Sequence, residues 1–74
     1  MVNRWFIIIK GLLNEKTQFT IQFKDGDLII NFLNKKWMII DYGSSALLKE
    51  QGLNNKIREY YFYYEDIQDI KRKD

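Results

Sequence analysis

Lys56-Ile57-Arg58-Glu59-Tyr60-Tyr61-Phe62-Tyr63-Tyr64-Glu65-Asp66-Ile67-Gln68-Asp69-Ile70 fits two periods, and the choice between them decides the fold. As a strand it sets Ile57, Tyr61 and Tyr63 opposite Tyr60, Phe62 and Tyr64. As a helix it aligns Leu53, Ile57, Tyr60, Tyr64, Ile67 and Lys71. Adjacent aromatics are strong strand formers, and a helix would leave Phe62 and Tyr63 on its wet face, so propensity predicts a strand through the aromatic run. Glu65-Asp66 then predicts a bend. The spacing of Ile67 and Ile70 before Lys71-Arg72-Lys73 predicts one or two closing helical turns, with cations at the negative end of the helix dipole.

Upstream of this run, alternation at period two dominates. Residues Asn3 to Leu13, which include Trp5-Phe6-Ile7-Ile8-Ile9, read as a long first strand buried on both faces in its first half. Asn14-Glu15-Lys16-Thr17 reads as a turn, and Phe19, Ile21 and Phe23 alternate with Thr20, Gln22 and Lys24 in a one-sided strand. Asp25-Gly26 predicts a type I′ hairpin, because both central positions of that turn need positive φ. Leu28 to Leu33 runs back, Asn34-Lys35-Lys36 turns again, and Trp37 to Tyr42 makes a fourth strand. Its expected core face is Met38, Ile40 and Tyr42, which buries no carboxylate, rather than Trp37, Ile39 and Asp41. Gly43 breaks the pattern. Ser44 or Ser45 then caps a short helix through Ala46 to Gln51, closed by Gly52.

This order predicts a mainly β chain with minor α content: an antiparallel meander of about five strands forming a small, partly open barrel, SH3-like or similar, with one short helix before the last strand. Residues 1–70 form a single domain and 71–74 a basic tail. The segment Tyr64-Glu65-Asp66-Ile67-Gln68-Asp69-Ile70 also resembles the closing segment of bacterial pleckstrin-like domains. That resemblance spans these residues only and implies no function.

The chain has 74 residues and neither His, Cys nor Pro. A domain this small buries only about 60% of the surface its unfolded chain exposes. Disulfides and Cys/His metal clips are unavailable to it, which leaves dense aromatic packing or self-association. Without His or Cys the usual general base, thiol nucleophile and imidazole ligand are missing, so the expected role is non-enzymatic, with no catalytic residue, no metal site and no cofactor. Asp25 and Asp27 flank a turn and are too few to hold Ca²⁺, and Ser44-Ser45 has no base to activate it. The N-terminal apolar run is too short for a membrane span, and the lack of cysteine fits a cytoplasmic setting.

Residues 1–70 hold nine Lys or Arg and nine Asp or Glu, so the formal net charge of +2 comes from Lys71-Arg72-Lys73-Asp74. Binding through a protein interface is accordingly the first expectation. Tyr60, Phe62 and Tyr64 would anchor the partner and Glu59, Glu65 and Asp66 would steer a basic surface, with Tyr61 and Tyr63 as the alternative face of the same strand. A chain of this size, rich in Lys, Asn and Ile as AT-rich coding produces, would suit a phage or mobile-element inhibitor or modulator of a larger host protein. The second expectation is a nucleic-acid-binding small β-barrel that uses Lys56, Arg58, Lys71, Arg72 and Lys73, with Lys24, beside exposed aromatics. The third is a homo-oligomeric structural protein, a homodimer paired through the long first strand as an edge.

Overall fold

The computed structural model describes residues 2–73. Among them the chain forms a helix α1 (Arg4–Glu15), then β1 (Phe19–Phe23), β2 (Gly26–Ile30), β3 (Lys35–Asp41), β4 (Ser45–Gly52), β5 (Ile57–Tyr63), a 3-10 turn (Tyr64–Asp66) and β6 (Ile67–Arg72). The strands make two antiparallel sheets, in the orders β2-β1-β6 and β3-β4-β5. The chain is therefore mainly β, as the alternation predicts, but its six described strands do not close into a barrel.

The first expected strand is a helix. Apolar residues at 5, 9, 12 and 13 follow the helical period, and Ile9, Leu12 and Leu13 are buried with Trp5 packed partly beside them. Asn3 caps the start, its side chain accepting from the Trp5 backbone N–H at 2.8 Å, and Lys16 ends it in the left-handed region. The β-branched run Ile7-Ile8-Ile9 favours a strand locally, but only the helix gives the core a lid from one continuous stripe. The edge-to-edge dimer expected on that strand thus has no strand to form on. α1 lies against β3, and its C-terminal half reaches β6, where Glu15 meets Arg72 at 3.5 Å.

The expected short helix at Ala46 to Gln51 is instead the interior of β4, the central strand of its sheet, paired on both sides. Ala, Leu, Lys, Glu and Gln are all helix formers, and here two hydrogen-bonded neighbours outweigh that preference. The expected C-terminal helical turns are β6. A register shift opposite Gln22 and Phe23 pairs Asp69 with Gln22 and Ile67 with Phe23, leaving Gln68 as the extra residue. This bulge explains how Ile67 and Ile70, three apart, both turn toward the core. The β1–β2 turn comprises Lys24 and Asp25 rather than Asp25 and Gly26, since Phe23 pairs with Gly26. Neither turn residue has positive φ, so it is no type I′ turn, and Gly26 itself takes φ +144°.

The core joins α1 to both sheets through Ile9, Leu12, Phe19, Ile21, Ile30, Leu48, Phe62 and Tyr64. On β3 the residues packed against the core are Trp37 and Ile39, opposite to expectation, while Met38 and Tyr42 are exposed and Asp41, of the same parity as Trp37 and Ile39, lies exposed at the strand's end. The carboxylate is not left unpaired: Asp41 Oδ1 accepts from the Tyr64 hydroxyl at 2.6 Å and from the Gly43 N–H at 3.2 Å. Trp37 likewise spends its indole N–H on the Asn31 carbonyl at 2.7 Å.

Candidate functional site

The aromatic run divides along β5. Phe62 is 8% and Tyr64, just past the strand, 2% exposed, whereas Tyr61 and Tyr63 are 57% and 48% exposed. Tyr60 is half-buried and stacks on Trp37 with ring centroids 6.1 Å apart. Of the face Tyr60, Phe62 and Tyr64, then, two rings lie in the core and the third is held against Trp37. Tyr61 and Tyr63 are the rings that face solvent. Burial, followed by the hydrogen bond to Asp41 and its charge, holds the Tyr64 phenol well above its ordinary pKa.

The exposed tyrosines are ordered by their neighbours. Tyr61 and Tyr63 meet edge to face at 5.6 Å, Tyr42 from the end of β3 lies 6.4 Å from Tyr61, and the Tyr61 hydroxyl donates to Ser45 Oγ at 2.7 Å. Leu47 on the central strand is registered between Ile40 and Tyr61, and exposed Met38 lies on the same face. The outer face of this sheet therefore carries a continuous aromatic and aliphatic surface. Tyr42 and Met38 escape sequence reasoning because they are assigned to the core face of β3. The available signal was that Trp37 and Ile39 are the larger apolar pair on the opposite parity.

β5 is also an edge strand. The bonds Tyr64 N–H to Ser44 C=O at 3.1 Å and Gly52 N–H to Lys56 C=O at 3.0 Å fix the ladder's parity: Arg58, Tyr60 and Phe62 bond to β4, and the N–H and C=O groups of Ile57, Glu59, Tyr61 and Tyr63 point away from it. Along this free edge runs an open groove of about 510 Å³, which Phe23, Leu28, Tyr60 and Phe62 line together with Asp25, Asp27 and Asp66.

Of the expected acidic residues, Glu59 is exposed and pairs with Lys49 at 3.5 Å, Glu65 is exposed on the 3-10 turn, and Asp66 pairs with Lys24 at 3.5 Å on the groove wall. The expected basic residues are all exposed, and apart from Lys24 they gather at the opposite end of the molecule. Lys56 and Arg58 open β5, and Lys71, Arg72 and Lys73 end the chain beside Gln18, whose carbonyl accepts from the Lys73 N–H at 2.9 Å. Lys16, Lys35 and Lys36 share a cleft at that same end, where Lys35 engages the buried Glu50 at 3.1 Å. Folding thus partly segregates the balanced charge of residues 1–70: Asp25, Asp27, Asp41, Glu65 and Asp66 lie toward the β1–β2 hairpin end with Lys24 among them, and Lys16, Lys35, Lys36, Lys56 and Arg58 lie toward the other with Glu15 and Glu50.

Among the described residues no group of three or more acidic side chains is placed to hold a metal ion, and no helix is long and apolar enough to cross a membrane. No family model, no characterised protein and no solved structure matches the chain.

Proposed function

We propose that the chain is a non-enzymatic binding module that engages another protein through the outer face of β3-β4-β5, with Tyr61, Tyr63 and Tyr42 as anchors. The observation that carries this reading is the ordering of exposed rings: Tyr61 is 57% exposed yet fixed by Ser45, Tyr42 and Tyr63. A large amphipathic ring already held in place loses little entropy when a partner covers it. The strand order and the groove beside β5 support reading the domain as a small, partly open SH3-like barrel. Its size and composition suit a phage or mobile-element inhibitor of a larger host protein.

Capture from a nuclease-treated lysate of the source cells, on wild type and on the Tyr61→Ser/Tyr63→Ser variant, tests this reading. A stoichiometric protein retained by wild type and lost by the variant is the expected result. Equal capture by both refutes it.

The segregation of charge favours a second reading, in which the end bearing Lys16, Lys36, Lys56, Lys71 and Lys73 binds the phosphates of nucleic acid. Binding of that kind weakens steeply with salt and is damaged by neutralising these lysines, whereas a tyrosine-anchored complex changes little.

A further inference from the structure

We propose that the groove between β2 and β5 receives an extended, basic segment of a partner protein, which adds to β5 as a further strand of the β3-β4-β5 sheet. The inference rests on the protein-binding reading above and names the form of the partner.

Backbone geometry comes first. β5 presents a row of outward N–H and C=O groups from Ile57, Glu59, Tyr61 and Tyr63, and its pairing with β4 runs through seven residues without a register shift. Unpaired edges of this kind template strand addition, and proteins usually blunt them with proline, bulges or cover. The other edges are blunted. α1 lies against β3, β6 is bulged and sits beside Ile7 and Ile8 of α1, and β2 has only five residues, the first of them Gly26. β5 has seven residues, keeps its register throughout and borders the open groove.

The groove supplies what such an edge requires for selectivity. Side chains of an added strand alternate between two environments. Those turned inward meet Phe23, Leu28 and Phe62, and those turned outward lie beside Tyr61 and Tyr63. The rim is acidic: Asp25 and Asp27 are exposed and form no ion pair among the described residues, while Lys24, the cation on the wall, is already held by Asp66. Apolar residues inward and Lys or Arg outward, over tyrosine faces and toward these aspartates, is the pattern the groove fits.

The probe is a peptide of alternating valine and lysine with blocked ends, matched to the seven residues of β5. Its counterpart alternates valine and glutamate. Amide chemical shifts and hydrogen exchange of the labelled full chain are followed as each is added. The expected result is binding of the lysine peptide, with shifts and slowed exchange at Glu59, Tyr61 and Tyr63, and no response to the glutamate peptide. N-methylation of the peptide amides that face β5 should abolish binding, and Asp25→Asn/Asp27→Asn should weaken it about tenfold.

Shifts confined to β2, β3, β6 or the lysine-rich end overturn the proposal, as do equal responses to both peptides or none up to about 1 mM. If the free protein dimerises in sedimentation and protects the same amides without peptide, the occupant is a second copy and the proposal is wrong. Failure of the peptides while Tyr61- and Tyr63-dependent capture persists removes this inference alone. Loss of that capture while the peptides still bind removes the tyrosine-face reading instead.

Discussion

The Tyr64 hydroxyl donates to Asp41 Oδ1 at 2.6 Å, tying the 3-10 turn after β5 to the end of β3 across 23 residues of sequence. Tyr64 is thereby the hinge pin between the two sheets: its ring packs edge to face on Phe62, and the chain leaves it directly for β6 in the other sheet. Replacing it with Phe keeps the ring and removes the bond to a charged acceptor, which should cost about 1–2 kcal/mol in denaturant unfolding at neutral pH.

The same bond gives the pH dependence a sign. Burial and Asp41 raise the phenol's pKa in the folded state, so the unfolded chain releases this proton first, at a pH of about 10. Tyr64's contribution is therefore complete below that pH and is lost progressively as pH rises above it. The stability gap between wild type and Tyr64→Phe should narrow in alkali. A gap independent of pH would show that the phenol is not held neutral by the fold.

The two faces of β5 should respond in opposite ways. Phe62→Ala opens a cavity beside Phe23 and Tyr64 and should cost about 3–5 kcal/mol. Tyr61→Ser/Tyr63→Ser gives up the ring contact and the Ser45 bond on an exposed surface, and should cost only about 1 kcal/mol while the sheet survives. Thermal unfolding and circular dichroism of the two variants separate the faces.

How far the sequence discloses this arrangement depends on whether local preference and tertiary demand agree. They agree in β1 and β5, where Phe19 and Ile21 alternate with polar residues and where the aromatic run resists a helix. They conflict in α1, whose Trp and Ile residues are strand formers pressed into a helix, and in β4, whose Ala-Leu-Leu-Lys-Glu-Gln is a helical composition held between two strands. The parity of β3 stayed hidden because Asp41 argues against burial of its face, whereas the strand ends there: Asp41 stays exposed and accepts from Tyr64, distant in sequence. The candidate site was legible as a segment but not as a face. Tyr61 and Tyr63 emerge as exposed only once Phe62 is seen to pack on Phe23.

The helix assignment has its own test. Ile9 has no exposed surface and Ile7 is 60% exposed, a contrast that a two-sided buried strand would not give. Ile9→Ala should cost about 2–4 kcal/mol and Ile7→Ala about 0.5 kcal/mol or less. Asn3→Ala, which removes the cap on Trp5, should cost about 1 kcal/mol. Equal costs at Ile7 and Ile9 in chemical denaturation would contradict the helix.

The most direct measurement is hydrogen exchange on the purified protein compared with its captured, nuclease-treated complex, resolved to single amides. Glu59, Tyr61 and Tyr63, whose N–H groups point away from β4, should gain protection in the complex while those of Arg58, Tyr60 and Phe62 stay unchanged. Protection gathered instead around Lys36, Lys56 and Lys71 to Lys73, with β5 unaltered, would place the partner at the basic end and contradict that expectation.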